Sequence, residues 1–242
     1  MLSTSRNPPD TPSLADALEA VRGRIQRAAA HAGRDVAGLT LLAVTKGQPA
    51  ARIVEAASLG LRSFGENYVA EALPKIHQLA PLDLDWHFIG RLQANKTRAV
   101  AAHFNWVHGV DRAQIAGRLS EQRSHFAPPL NLCLQVNVLG EASKGGVAPA
   151  ELPALIDAVA GLPRLRLRGL MCMLPHDAPE ALQHEGFSRL RSLRDAEAGR
   201  GILLDTLSMG MSDDLEVAVA EGSTLLRIGS ALFGVRPTPQ VD

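Results

Sequence analysis

The stretch LTLLAVTKGQPAARIVEAASLG (39–60) decides how the rest of the chain reads. Its first part, LTLLAV (39–44), is a short continuous apolar run, the pattern of a strand buried on both faces. Pro49 then opens an amphipathic segment with Ile53, Val54 and Ala57 on one stripe, and Gly60 closes it. A doubly covered strand followed by a helix is the building unit of a parallel sheet.

The same unit recurs along the sequence. Upstream, residues 13–32 read as a helix capped by Ser13, with Leu14, Leu18, Val21 and Ile25 as its stripe and Gly33 as its stop. Downstream, strand patterns fall at LRSF (61–64), LDWHFI (84–89), 104–110, LNLCLQVNV (130–138), LRGLMCM (167–173), LLDTLSM (203–209) and TLLRIG (224–229). Helical patterns separate them near 67–79, 91–101, 112–124, 179–197 and 214–221. Another opens at Pro149 and places Leu152, Leu155, Ile156 and Val159 on one face. About eight strand–helix units in a chain of 242 residues is the size of a (β/α)8 TIM-type barrel, here with an extra N-terminal helix. A doubly wound open sheet is the runner-up. No shift of composition divides the chain, so one barrel is expected over 12–236, between a flexible extension (1–11) and a tail (237–242).

Composition excludes several classes. With 46% hydrophobic and 21% charged residues the chain is no disordered segment. Lys+Arg and Asp+Glu number 25 each, so no net positive field attracts nucleic acid. No apolar run approaches the roughly 18 residues of a membrane helix. The opening MLSTSRNPPD lacks the apolar segment of a signal peptide. Cys133 and Cys172 lie in apolar stretches, as buried free thiols do, and no histidine or cysteine cluster suggests a metal site. A soluble cytoplasmic protein is expected, with no nucleic-acid or membrane partner.

In a barrel of this kind the chemistry gathers at the carboxyl ends of the strands. Lys46 follows the first strand directly and is one of only four lysines, with Lys75, Lys96 and Lys144. Desolvation at a barrel mouth lowers an amine's pKa and leaves the neutral form that Schiff-base formation with an aldehyde requires. The alternative for Lys46 is an ion-paired lysine at a strand end. Lys75 and Lys96 fall in helical stretches and read as solvated. SMGMSDD (208–214) and RIGS (227–230) follow the last two strands, where barrels often hold a phosphate. Ser212 reads as the cap of the next helix and Gly229 as a point of close backbone approach. Arg227 stays protonated and either faces a ligand or makes a rim salt bridge to Asp213 or Glu221. Asn67 either meets a ligand or caps its helix, His87 reads as a hydrogen-bonded core histidine, and SKGG (143–146) as a flexible loop.

Taken together, the blocks AVTKGQP (43–49), FGENYVAE (64–71), WHFIGRLQANK (86–96), VNVLGEASKGG (136–146), GLMCM (169–173) and LSMGMSDDLEVAVAEGSTLLRIGSALFG (207–234) resemble the pyridoxal phosphate homeostasis protein family. They are similar, through it, to the amino-terminal barrel of alanine racemase, a fold-type III binder of pyridoxal 5′-phosphate (PLP). The resemblance implies that Lys46 forms a Schiff base with PLP. It implies that Ser212, with the backbone at Gly229 and Ser230, holds the phosphate, that Arg227 faces the pyridine nitrogen, and that Asn67 lies close to the cofactor. An Arg there would keep that nitrogen unprotonated and the ring a poor electron sink. The implied role is intracellular PLP homeostasis without established turnover, with PLP-dependent apoenzymes as candidate partners and a monomer as the expected state. A two-base racemase needs a second acid/base, and the only tyrosine, Tyr68, lies within the barrel. The sequence ends soon after the eighth unit (VRPTPQVD), so no second domain is expected to supply one. A slow racemase of unusual specificity is the alternative, and a sugar-phosphate enzyme using Lys46 as an aldolase-type base the third reading.

Overall fold

The computed structural model describes residues 12–141 and 145–234. The expected extension (1–11), the tail (237–242) and Lys144 of the SKGG loop lie outside the described residues. Eight parallel strands close into one barrel in chain order. They are β1 (Thr40–Val44), β2 (Ser63–Glu66), β3 (Asp85–Phe88), β4 (Trp106–Val110), β5 (Leu130–Gln135), β6 (Leu165–Met171), β7 (Thr206–Ser208) and β8 (Leu225–Ile228). Closure runs through β1 and β8, whose register pairs Thr40 with Leu225 and Ala43 with Ile228. An open doubly wound sheet is thereby excluded.

Helices α1 (Leu14–His31), α2 (Ala50–Ser58), α3 (Val69–Gln78), α4 (Thr97–His103), α5 (Ala113–Gln122), α6 (Leu152–Ala160), α7 (Glu180–Gly199), α8 (Leu215–Ala220) and α9 (Ser230–Phe233) surround it. The extra helix α1 starts as its sequence requires. Ser13 and Asp16 form a reciprocal capping box, and Leu14, Leu18, Val21 and Ile25 are all buried. On α6, Leu152, Leu155, Ile156 and Val159 are buried together. The stripe expected on α2 is corrected at one position: Ile53 and Ala57 are buried, but Val54 is exposed. Two strands are shorter than their apolar runs. The fifth ends at Gln135, beyond which Val136 makes only an isolated bridge to Val147. The seventh is reduced to three residues, and Leu203 before it is exposed.

The molecule has two apolar layers. The larger lies between strands and helices, with Phe64, Phe88, Phe104 and Phe187 among its buried side chains. A small separate cluster of Leu42, Ile89 and Leu225, with Val44 against it, fills part of the barrel interior. Both cysteines are buried and free, and burial pushes each thiol up to about 12, so neither forms thiolate at neutral pH. Among the described residues no helix is long and apolar enough to cross a membrane.

Where β6 meets β7, the strands approach so closely that a Cβ at Gly169 would collide with the Thr206 carbonyl. Gly169→Ala is therefore expected to pry the ladder apart and cost about 3 kcal/mol, the upper range for overpacking a tight interior. The denaturant midpoint reads it; an unchanged midpoint would refute the close approach.

Candidate functional site

Parallel closure gathers the loops that follow the strands at one mouth, and a cavity of about 480 Å³ opens there. Lys46, Asn67, Ser212, Arg227, Gly229 and Ser230 all line it. They come from the ends of β1, β2, β7 and β8, brought together by the β1–β8 pairing. Val44, Ile89, Met173, Met211 and Phe233 supply apolar wall, and His176 and Asp213 stand at its rim.

Arg227 is fully buried at the end of β8. Its Nη1 donates to the Ser208 carbonyl at 2.6 Å and to Ser208 Oγ at 2.9 Å, and its Nη2 donates to the Cys172 carbonyl at 2.8 Å. Burial pulls the guanidinium down from its ordinary value, countered by the charge of Asp214, and an arginine stays protonated regardless. The rim salt bridge to Asp213 or Glu221 is therefore corrected: backbone carbonyls and a hydroxyl hold this cation. Glu221 instead pairs with Arg191 and His184.

Two capping expectations are also corrected. Asp214, not Ser212, is the cap residue of α8, and its carboxylate accepts from the Met211 amide. The Ser212 hydroxyl reaches to the neighbouring loop and accepts from the Ala231 amide in the first turn of α9, at 3.2 Å. It thus ties together the two loops after β7 and β8. Asn67 does not cap α3, whose cap position is Tyr68. Its Oδ1 is buried without a hydrogen-bond partner while the residue lines the cavity, so the amide faces a space that lacks a donor. A Cβ at Gly229 would meet nothing closer than Val44 at 3.4 Å, an ordinary contact, so protein packing alone does not demand glycine there.

The largest departure from expectation is Lys75. It is buried, not solvated, and Lys96 alone of the two helical lysines is exposed. Lys75 Nζ donates to Glu66 Oε1 at 2.8 Å, to Glu71 Oε1 at 2.6 Å and to the Thr45 carbonyl at 2.9 Å. Thr45 Oγ1 donates to Glu66 Oε1, and the Gly47 amide donates to Glu71. The cluster therefore grips the main chain on both sides of Lys46. Burial pushes the Glu66 carboxyl above the usual carboxylate range, partly offset by Lys75 and Thr45, and Glu66 Oε2 has no partner. The spacing of α3 puts Lys75 on the buried stripe with Val69, Ala72 and Ile76, and only its residue type argued for solvent. The signal was Glu66, a carboxylate at a strand end that needed a cation.

Removing that cation leaves a buried carboxylate uncompensated, so Lys75→Met is expected to cost about 3–5 kcal/mol near pH 7.5. The sign of its pH dependence follows from Glu66. A carboxyl whose folded pKa is raised contributes most when protonated and loses that contribution as pH rises through the raised value. The defect should thus shrink toward pH 5, and Glu66→Gln added to Lys75→Met should recover much of it. Denaturant melts of single and double variants at both pH values test this; a pH-independent defect refutes the clamp.

Residues 17–237 match the family described as alanine racemase, N-terminal domain. A Pseudomonas aeruginosa protein named pyridoxal phosphate homeostasis protein is 59% identical over 225 residues, 93% of this chain and 96% of that one. Its Escherichia coli K12 namesake is 50% identical over 229 residues, 92% and 97% of the two chains. The solved structure of PipY from Synechococcus elongatus with PLP bound matches with a TM-score of 0.80 at 36% identity, over 92% of this chain and all of that one. On barrel, matched span and identity alike, this chain belongs to the pyridoxal phosphate homeostasis protein family, built on the alanine racemase N-terminal fold.

Proposed function

We propose that this protein binds PLP in the mouth of its barrel, as a Schiff base on Lys46, and holds the cofactor for delivery to PLP-dependent apoenzymes in the cytoplasm rather than turning over a substrate. The relatives' names and the PLP-bound PipY support the cofactor. One observation carries the reading for this chain: Lys46, Asn67, Ser212, Arg227, Gly229 and Ser230 line one cavity. The residues fit PLP chemically. An amine meets the aldehyde, and hydroxyls and backbone on the facing loops after β7 and β8 meet the phosphate. The unpartnered Asn67 Oδ1 offers an acceptor to a ring substituent.

When bound, PLP supplies an electron-withdrawing ring conjugated to the attached nitrogen. Arg227 is the group that limits this chemistry. Its guanidinium donates and does not accept, so a ring nitrogen beside it stays unprotonated and draws electrons weakly. Three of its five N–H groups are committed to Ser208 and Cys172, which fixes the direction of the others. Tyr68 is 64% exposed and does not line the cavity. A slow racemase remains the competing reading on one observation, His176 at the rim, 3.7 Å from Asp213 Oδ2. Both are open to water. Exchange of the α-hydrogen of amino acids for deuterium separates the readings: a holder gives background exchange, and exchange that disappears in His176→Ala would establish the racemase.

Purified protein loaded with PLP is expected to show a visible absorption band and, after borohydride, a covalent adduct on Lys46. Lys46→Ala should lose both; an identical band and adduct site in the variant would overturn the assignment. The Ser212 hydroxyl contributes a hydrogen bond to a charged group, worth about 1.5–3 kcal/mol, so Ser212→Ala should weaken PLP retention roughly ten- to a hundredfold. Equilibrium dialysis measures it, and unchanged retention would remove Ser212 from the phosphate site.

A further inference from the structure

Barrels of this kind are usually filled by layers of branched apolar side chains, but this one also encloses a polar line. His87 on β3, His108 on β4, Ser208 on β7 and Arg227 on β8 are all buried. Arg227 Nη1 lies 2.9 Å from Ser208 Oγ, and Ser208 Oγ 2.8 Å from His108 Nδ1. His108 Nε2 lies 2.9 Å from His87 Nδ1, and His87 Nε2 3.0 Å from Asp85 Oδ2. The contact between His108 and Ser208 crosses the barrel from β4 to β7. Asp85 begins β3, so it stands at the mouth opposite the cofactor cavity. Its side chain is 39% exposed, beside a second cavity of about 380 Å³ lined also by Arg168 and Asp205.

The hydrogens along this line follow by elimination. Arginine only donates and a carboxylate only accepts. Burial pulls both imidazoles below their ordinary value, outweighing the opposite pull of Asp85 on His87, and for His108 the neighbouring His87 and Arg227 add to it, so each ring is neutral at pH 7 and carries one N–H. Asp85 must accept from His87 Nε2. His87 Nδ1 is then an acceptor and takes the hydrogen of His108 Nε2. His108 Nδ1 in turn accepts from the Ser208 hydroxyl, whose oxygen accepts from Arg227. All four hydrogen bonds point one way, from the cation at the cavity to the anion at the far mouth. Reversing either ring would set two donors or two lone pairs face to face inside the barrel.

We propose that Asp85 is a remote positioning residue of the cofactor cavity, acting through His87, His108 and Ser208 to fix the Arg227 guanidinium that faces it. The relay orients and polarises its members. It does not conduct protons, since a shift along it would end in a neutral arginine.

Two experiments test this, and only the second rests on the PLP reading. Nitrogen-15 spectra of the histidine rings in the full chain without cofactor, assigned with His87→Gln and His108→Gln, should show both rings protonated at Nε2 alone at pH 7. A hydrogen on Nδ1 of either ring overturns the one-way relay. In PLP-loaded protein, Asp85→Asn keeps an acceptor oxygen for His87 whereas Asp85→Ala removes it. Asp85→Ala should release PLP roughly fivefold faster, one net hydrogen bond's worth, with a shifted visible band. Asp85→Asn should stay close to the unsubstituted protein in both. If unsubstituted protein binds PLP and Asp85→Ala matches it in rate and band, the inference falls while the proposed function stands. If unsubstituted protein takes up no PLP, the proposed function falls and the ring spectra still decide the relay.

Discussion

Closure of the barrel through the β1–β8 ladder is the constraint on which the rest depends. Hydrogen bonds between residues 40–43 and 225–228 bring the first strand against the last, and every later feature of the mouth follows. Lys46 leaves the end of β1; Arg227, Gly229 and Ser230 end or follow β8. An open sheet made from the same strands would leave these groups at opposite edges, tens of ångströms apart given a strand spacing of about 4.8 Å. The cavity is therefore a consequence of topology. No single loop contains it, and Lys46, Gly229 and Ser230 line one cavity only because the strand order closes.

Much of this was legible in the sequence because apolar runs covered on both faces have few interpretations. LTLLAV (39–44) and the runs after it report burial directly, and a barrel's chemistry lies just beyond such runs. The positions of Lys46 and Arg227 could be read that way. Lys75 could not. A lysine on a helix reads as solvated unless one knows which residue lies beneath it, and Glu66 is beneath it only in the folded barrel. Ser212 misled for a similar reason: a serine before a helix is a good cap, but Asp214 lies closer to the start of α8 and takes that place, freeing the hydroxyl to bridge to α9. The interior relay was the hardest to see. His87 was legible as a hydrogen-bonded core histidine, but Asp85, His108 and Ser208 look unremarkable in their own strands, and the partners come from β3, β4, β7 and β8, distant in sequence.

The two buried polar groups solve opposite problems. Around Lys75 one cation serves two carboxylates and a carbonyl, so charge is compensated locally while Glu66 Oε2 is left unbonded. Such a cluster contributes little net stability relative to apolar packing; what it fixes is geometry, here the main chain flanking Lys46. Arg227 has no carboxylate in contact. It is held by dipoles, two carbonyls and a hydroxyl, and its counter-charge at Asp85 is relayed through three side chains. A cation held by dipoles keeps its attraction for a ligand largely unspent, whereas one locked in a contact ion pair does not. That contrast fits the proposed roles, in which the backbone of Lys46 would need to stay still and the charge of Arg227 to stay available.

Under the proposed function, the same arrangement gives a physical reason for retention over conversion. Rate acceleration requires contacts that strengthen as the reaction proceeds, whereas contacts of constant strength only hold. Under the proposed function, the groups that would meet an anionic tail and an unprotonated ring nitrogen make contacts of the second kind, since neither would change charge when an amine is exchanged at the aldehyde carbon. On the same reading Arg227 would oppose the one change that activates the ring, protonation of its nitrogen, because a guanidinium cannot give up its hydrogen at physiological pH. Groups able to move a proton at the rim, His176 and Asp213, stand in water, where their influence on a reacting atom is screened. On that reading, a site whose contacts stay constant, whose ring would be damped and whose mouth is open would favour holding an aldehyde until another amine takes it.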